Sequence, residues 1–445
     1  MINLSPAASA VIRKLTENGF EAYAVGGAVR DAILGVAVSD FDVTTSATPT
    51  EVKAVLSGYK IFDTGLKHGT VTARVSGENV EITTFRTDGD YLNARRPESV
   101  EFVTDIREDL SRRDFTMNAV CYNDETGVFD PTGGVDDIKH KTIRAVGDPE
   151  KRFREDALRI LRAVRFASVL GFKIEETTKK AMFSCQNLIA KLSKERVFSE
   201  LKKTLLGDGV QEVLTEYREI FYHVIPELKP CYGFDQKSVY HSTDVFTHIV
   251  SAVALAPKDI YVRLALLYHD IAKPLCFCVD EEGAGHFKGH AALGAKIAVS
   301  SLKSLKADNF TVGAVEKLVY HHDNYMLSTR KDVLKMLDEE GIAFMRRLTE
   351  LRRADLKAHF TNNIGEREKI AEKVLNIAET AIKNGECYSL KTLKINGGDI
   401  IKLGYKGEAV GRILTRILNE VRAGSLKNDR AALLKKAESY GRVGK

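Results

Sequence analysis

The chain has 445 residues, 44% of them hydrophobic, with 66 Lys and Arg against 61 Asp and Glu for a formal charge of +5. At roughly 150 residues per domain this length points to about three domains and makes a single-domain reading unnatural. No apolar run approaches the roughly eighteen residues of a membrane span and no basic-then-apolar leader precedes the first amphipathic stretch, so a soluble, cytoplasmic protein without membrane contact or obligate protein partner is expected.

In chain order, Ile12, Leu15 and Phe20 mark an amphipathic helix, Glu21 to Val25 a strand, and the Arg30 to Leu34 region a second helix. Strands follow at Phe41 to Thr44, Thr70 to Val75, Val80 to Phe85 and Cys121 to Asn123, with turn signals such as Gly77-Glu78-Asn79 between them. Residues 1–142 thus read as a small α/β head. From Ile143 onward strand signals nearly vanish and apolar residues recur at helical spacing, through Leu158, Leu161 and Val164 and on towards the C-terminus. Gly207-Asp208-Gly209, Ala284-Gly285 and Gly397-Gly398 are taken as loop punctuation. The stretch Lys391 to Lys445 holds 13 Lys or Arg against 5 Asp or Glu, a basic end that suits a polyanion or forms a solvated helix face. Six cysteines, at 121, 185, 231, 276, 278 and 387, are too scattered for a disulfide framework and fit a reducing compartment. Cys276-Phe277-Cys278 is assigned no metal.

Chemistry concentrates first in the head. In an extended segment Asp40 and Asp42 share a face while Phe41 and Val43 point to a core. Two such carboxylates suit Mg²⁺, which takes oxygen ligands and completes its shell with water and phosphate. The upstream stretch Val25-Gly26-Gly27-Ala28-Val29-Arg30-Asp31 lets backbone approach a triphosphate, and Arg30 can fork onto phosphate oxygens. Glu81, on the polar face of Val80-Glu81-Ile82-Thr83, is the candidate third acid of a two-metal site; the alternative is a solvated strand-face glutamate. Arg112-Arg113-Asp114-Phe115-Thr116-Met117-Asn118-Ala119 is expected to open a helix, where cations oppose the dipole and so suggest phosphate clamping rather than a surface pair. In Glu155-Asp156-Ala157-Leu158-Arg159-Ile160-Leu161-Arg162-Ala163-Val164-Arg165 the charged residues 156, 159, 162 and 165 step by three along one helix side. Asp156 and Arg159 either form a local helix pair or read a base: a carboxylate accepts and a guanidinium donates, matching the amine and ring nitrogen shared by C and A and rejecting U and G.

These motifs, in this order, resemble the class II tRNA nucleotidyltransferases, the CCA-adding enzymes and their bacterial poly(A) polymerase relatives. The resemblance is close to about residue 205 and looser beyond. It implies an α+β protein: a polymerase-β-like nucleotidyltransferase head (residues 1–142), an all-α neck for base selection (143–205), a helical body (206–375) and a helical basic tail that binds tRNA (376–445). It also implies Mg²⁺ on catalytic Asp40 and Asp42, NTP contacts from Gly27, Arg30, Arg113, Arg159, Arg162 and Arg165, and base selection by Asp156 with Arg159. The segment Thr87 to Pro97 resembles the flexible loop that full CCA-adding enzymes use to switch from C to A, which argues against a CC-only enzyme and leaves an A-only one open.

Within the body, His248, the adjacent His269-Asp270, His290, His321-His322 and Asp355 bring imidazoles and carboxylates from several helices, as a divalent metal site with open positions requires. Their order, with Gly289-His290-Ala291-Ala292-Leu293-Gly294-Ala295, resembles an HD phosphohydrolase domain at about residues 240–360, with a second divalent metal on His248, His269, Asp270, His290, His322 and Asp355. The expected function is template-independent, Mg²⁺-dependent addition of CCA to tRNA from CTP and ATP, with a phosphohydrolase as a second activity. The alternatives are an A-only enzyme, a poly(A) polymerase, an HD phosphohydrolase with a nucleotide-binding head, and a noncatalytic RNA-binding protein.

Overall fold

Ser5 starts the first helix: its side chain accepts the Ala8 amide, and Pro6 occupies the first turn, where a missing N–H leaves nothing unpaired. The computed structural model describes all residues except 1, 39, 89–90, 93–95, 98–99, 238–242, 324–328, 360–363 and 442–445. The chain divides into two units, Met1–Pro226 and Glu227–Lys445.

The first unit begins with α1 (Pro6–Glu17), β1 (Ala22–Val25), α2 (Gly27–Ile33), β2 (Asp42–Thr45), α3 (Pro49–Val55), β3 (Lys60–Gly65), β4 (Thr70–Val75) and β5 (Glu78–Thr84). Four short strands follow, β6 (Arg86–Asp88), β7 (Tyr91–Leu92), β8 (Arg96–Pro97) and β9 (Val100–Phe102), with β6 antiparallel to β9 and β7 to β8. The segment expected to switch C to A falls on these strands and partly outside the described residues. The head closes with α4 (Ile106–Ser111), β10 (Cys121–Asn123), β11 (Gly127–Phe129) and α5 (Gly134–Lys139). Its seven-stranded sheet has the order β11-β10-β1-β2-β5-β4-β3, antiparallel throughout except for the β2–β5 pair. Alternation explains the core: Val43, Val71, Ala73, Val80 and Ile82 are buried beneath α1, which buries Val11, Ile12 and Leu15.

The helical remainder of this unit comprises β12 (Thr142–Ile143), α6 (Pro149–Glu155), α7 (Leu158–Leu170), β13 (Lys173–Ile174), α8 (Glu176–Cys185), α9 (Lys194–Leu205), α10 (Val210–Glu216) and α11 (Arg218–Tyr222). It is not wholly helical, because β12 and β13 form a short parallel ladder. The α7 helix packs on α9 and buries Ile160, Ala163 and Val164.

The second unit contains α12 (Val245–Leu255), α13 (Ile260–Tyr268), α14 (Lys273–Cys276), the hairpin β14 (Cys278–Val279) and β15 (Gly285–His286), then α15 (His290–Ser304), α16 (Asn309–His321), α17 (Arg330–Lys357) and α18 (Ile364–Lys383). It ends in α19 (Gly397–Lys402), α20 (Glu408–Arg422) and α21 (Arg430–Gly441). These last helices have their own core of Ile400, Ile413, Ile417, Leu418 and Leu433. Gly397-Gly398 is therefore the first turn of a helix, capped by Asn396, and not a loop. The boundaries expected at 142 and 375 fall within β12 and α18, while that at 205 coincides with the end of α9. Among the described residues no helix is long and apolar enough to cross a membrane.

Candidate functional site

The antiparallel pairing of β1 with β2 places Val25 opposite Asp42, so the glycine turn that leaves β1 lies at the same sheet end as the acidic pair that enters β2. Gly26 has φ +81, a conformation that favours glycine, and α2 starts at the next residue. A Cβ on Gly26 would lie 3.6 Å from Arg113 Nη1, and one on Gly27 would lie 3.3 Å from Arg30 Nη2, so two guanidinium groups border this turn. Asp40 and Asp42 are exposed while Phe41 and Val43 are buried, as the alternation requires, although Asp40 precedes the strand proper. The parallel β2–β5 register, Val43 beside Ile82, sets Glu81 beside Asp42 on the exposed side. Surrounding protein raises the Asp42 carboxyl above the ordinary range, Glu81 and Asp40 push the same way, and Arg113 opposes them. Crowded carboxylates with only oxygen donors suit a hard divalent cation.

Arg112 and Arg113 do not open a helix. Arg112 is the C-cap of α4, and Thr116–Asn118 forms a single 3₁₀ turn, so both cations sit at a helix C-terminus where the dipole favours them. What aims them is Asp109, a fully buried carboxylate 2.6 Å from Arg112 Nη2 and 3.0 Å from Arg113 Nη2. Burial would raise its pKa, but the two guanidinium groups outweigh that and lower it. Asp109 is absent from the sequence-derived site, as are the groups that hold the other arginines. Arg30 donates to Asn118 Oδ1 at 2.7 Å, Asn118 donates to Asp114 Oδ1 at 3.1 Å, and Arg162 donates to Asp114 Oδ2 at 2.8 Å. Despite burial, Arg162 and Asn118 hold Asp114 down at about 2. Arg165 pairs with the buried Glu200 at 2.8 Å. Arg30, Arg162 and Arg165 all face the Phe166 ring, with Arg165 4.0 Å from its centroid.

The supposed base-reading pair is arranged differently from the expectation. The charged residues from 156 to 165 are not on one helix, because α6 stops at Glu155 and Asp156 is an extended C-cap before α7. Asp156 and Arg159 do not pair with each other. Asp156 Oδ1 accepts the Leu158 amide at 3.1 Å and Oδ2 accepts from Arg196 Nη2 at 2.7 Å. Arg159, buried, donates to Glu155 Oε2 at 2.9 Å and to the Arg152 and Arg112 carbonyls at 3.1 and 2.9 Å.

In the second unit the six expected groups converge. His248 on α12, His269-Asp270 just past α13, His290 opening α15, His322 just past α16 and Asp355 near the end of α17 are all buried. His248 Nε2 lies 3.2 Å from His269 Nε2, 3.4 Å from Asp270 Oδ2 and 3.0 Å from Asp355 Oδ1. On the other side of the same carboxylate, Asp270 Oδ1 lies 3.4 Å from His290 Nε2 and 3.7 Å from His322 Nε2, and those two nitrogens are 3.1 Å apart. Donors about 2.1 Å from a shared ion are separated by about 3.0 to 3.4 Å, so these spacings describe two coordination pockets joined through Asp270. His269, His290 and His322 each set Nδ1 2.6 to 2.8 Å from a main-chain carbonyl three residues back, an arrangement that leaves Nε2 to serve as the ligand. Burial works against charge on His269, but Asp270 and Asp355 prevail and raise it to about 10. His321, next to His322, packs on Phe344 instead. His359 joins from sequence positions not anticipated, 3.4 Å from Asp355 and stacked on His248. Lys273 Nζ is 2.7 Å from Asp270 Oδ2.

A glycine-bordered helix start beside paired acids on a mixed sheet is the head of a nucleotidyltransferase. Residues 22–144 match the family model of the poly(A) polymerase head domain, 171–232 that of the probable RNA and SrmB-binding site of polymerase A, and 290–437 that of tRNA nucleotidyltransferase domain 2. A CCA-adding enzyme of Limosilactobacillus fermentum is 35% identical over 431 residues, covering 96% of this chain and 95% of that one, and the chain belongs to the CCA-adding enzyme family. The relative from Geobacillus thermodenitrificans is 51% identical over 204 residues, 46% of this chain and 50% of its own length, so that match spans half of the relative. The match to the Pediococcus pentosaceus enzyme, 43% identical over 261 residues, spans 57% of this chain and 65% of the relative. Among solved structures, the Bacillus stearothermophilus CCA-adding enzyme in complex with CTP superimposes with a TM-score of 0.72 at 28% identity, over 99% of both chains.

Proposed function

We propose that this protein adds C, C and A to the 3′ end of tRNA from CTP and ATP, without a nucleic-acid template, releasing pyrophosphate at each step in the cytoplasm. The observation that carries this reading is the meeting of Asp40, Asp42 and Glu81 with the Gly26-Gly27 turn at one end of the head sheet. Members of this family use divalent metal ions, and Mg²⁺ fits the all-oxygen trio of Asp40, Asp42 and Glu81. When bound, the ion supplies charge neutralisation at the α-phosphate and a more acidic 3′ hydroxyl. The protein's own groups do the rest. Gly27 admits the triphosphate to the main chain, Arg30 and Arg113 bear on its oxygens, and Arg162 and Arg165 extend that positive rim. Asp156 accepts the exocyclic amine of C or A while Arg159 donates to the ring acceptor beside it. The basic terminal helices hold tRNA through phosphates and shape.

The test is extension of a tRNA lacking its 3′ end with labelled CTP and ATP. Three additions in the order C, C, A are expected. A single A would establish an A-only enzyme, a long A tract a poly(A) polymerase, and no addition a noncatalytic RNA-binding protein.

A second reading concerns the buried histidines and aspartates. We propose that they form an HD-type metal centre that hydrolyses a phosphoester, because the donor spacings around Asp270 match two ion pockets. Hydrolysis of bis(p-nitrophenyl) phosphate in the presence of Mn²⁺ should be lost in His269→Ala and kept in Asp40→Ala. Equal hydrolysis in wild type and His269→Ala would remove the proposal.

A further inference from the structure

The base-reading residues reach their positions through a group that nothing in the motif itself supplies. Asp156 lies in the break between α6 and α7, with extended backbone at φ −141 and ψ 101, so no helix fixes its side chain. Its Oδ1 is held locally by the Leu158 amide, and its Oδ2 is held from 40 residues away by Arg196 Nη2, at 2.7 Å. Arg196 stands in the first turn of α9, where the dipole disfavours a cation, so its placement calls for a reason outside its own helix. The pair is shielded, with 30% of the Arg196 side chain and 18% of the Asp156 side chain exposed. Arg159, meanwhile, is fixed from the other direction by Glu155 and two carbonyl groups.

From this arrangement we infer that Arg196 is a specificity-determining positioning residue: it orients the Asp156 carboxylate so that an incoming base must present an amine donor there. The inference rests on the proposed base reading by Asp156. A carboxylate oxygen has room for more than one donor, so the contact with Arg196 leaves Asp156 able to accept the amine of cytosine or adenine. A carboxylate only accepts hydrogen bonds, and an acceptor-only group faces the carbonyl of uracil or guanine with no hydrogen to offer. Without the guanidinium, the carboxylate can turn about its side-chain bonds and the geometric distinction between an amine and a carbonyl weakens. Arg196 touches no reacting atom in this scheme and acts only through Asp156.

The experiment measures kcat/KM for CTP against UTP on a tRNA lacking its 3′ end, and for ATP against GTP on one ending in CC, in wild type, Arg196→Met, Arg196→Lys, Asp156→Ala and Asp156→Ala/Arg196→Met. Arg196→Met should narrow both discrimination ratios at least tenfold, Arg196→Lys should recover part of the loss, and the double variant should match Asp156→Ala. Should Arg196→Met fail to fold, the Arg196→Lys and Asp156→Ala pair carries the same comparison, with partial loss in the first expected. Retained discrimination in Asp156→Ala overturns the base reading and the inference with it. Lost discrimination in Asp156→Ala but full discrimination in both Arg196 variants overturns the inference alone, as would an added loss in the double variant.

Discussion

The two acidic centres of this chain are opposites in solvent access and in ligand chemistry. In the head, Asp40 and Asp42 stand exposed at a sheet end, and among the described residues Glu81 adds a further carboxylate beside Asp42. In the second unit, Asp270 and Asp355 are buried among imidazoles contributed by separate helices. An open trio of carboxylates leaves most of a cation's shell to water and phosphate, so it suits an ion that arrives with a nucleotide. A closed set of nitrogen and oxygen donors suits an ion that stays and that supports the fold around it. The same residue type, aspartate, stands at both because burial and neighbours decide what it can hold.

That contrast can be broken most forcefully at the head. Under the proposed function Asp42→Asn should reduce nucleotide addition by about a thousandfold or more, because the lost carboxylate is one that would hold the divalent ion at the reacting phosphate, with little change in thermal stability. A variant with normal addition would leave the sheet end without a catalytic role. The second centre should respond in the opposite manner. His269→Ala should lose tightly held divalent metal, read by elemental analysis after dialysis, and should lower the melting temperature, while CCA addition persists. Unchanged metal content would place the ion elsewhere.

Asp109 sharpens the comparison between an anion that binds a cation directly and one that aims cations. Asp109→Asn leaves Arg112 and Arg113 without their shared partner, so a loss of about 3 kcal/mol in stability and roughly tenfold higher KM for CTP and ATP alike are expected. A KM rise for only one nucleotide would assign Asp109 to base choice. The smallest effect concerns Asp114, whose carboxyl is lowered from 3.8 to about 2 by Arg162 and Asn118 in spite of burial. A depressed acid stabilises above its unfolded value and loses that contribution as pH falls through the folded one. The stability advantage of wild type over Asp114→Asn, about 2 kcal/mol at pH 6, should therefore shrink as pH drops from about 4 towards 2. A constant difference in urea midpoint across that range would contradict it.

Much of the head could be read from period-two alternation. Val43 and Ile82 are buried and Asp42 and Glu81 are exposed where the pattern puts them, because a strand offers only two faces. The convergence of His269-Asp270 with the other buried histidines was equally legible, since an adjacent imidazole and carboxylate followed by further histidines in separate helices leave few other arrangements. Local breaks were not legible. The step of three from residue 156 to 165 reads as one helix, yet Asp156 bonds the Leu158 amide and ends α6, a competition between side chain and backbone that periodicity does not register. The motif at Arg112 and Arg113 reads as a helix start, although Arg112 in fact caps the preceding helix. Partners distant in sequence were hidden altogether. Glu200 beneath Arg165 and Arg196 on Asp156 lie 35 and 40 residues from the groups they hold, and no spacing rule announces them.

Each guanidinium assigned to nucleotide already has an acidic partner, in two cases a shared one: Arg30 has Asp31, Arg113 shares Asp109 with Arg112, Arg159 shares Glu155 with Arg152, Arg162 has Asp114 and Arg165 has Glu200. The positive charge of the pocket is consequently reduced at rest, below what its tally of arginines suggests. Attraction for a distant triphosphate is then weakened, and more of its hold is exerted at contact range. Raising ionic strength should for that reason weaken CTP affinity far less than five bare cations would imply.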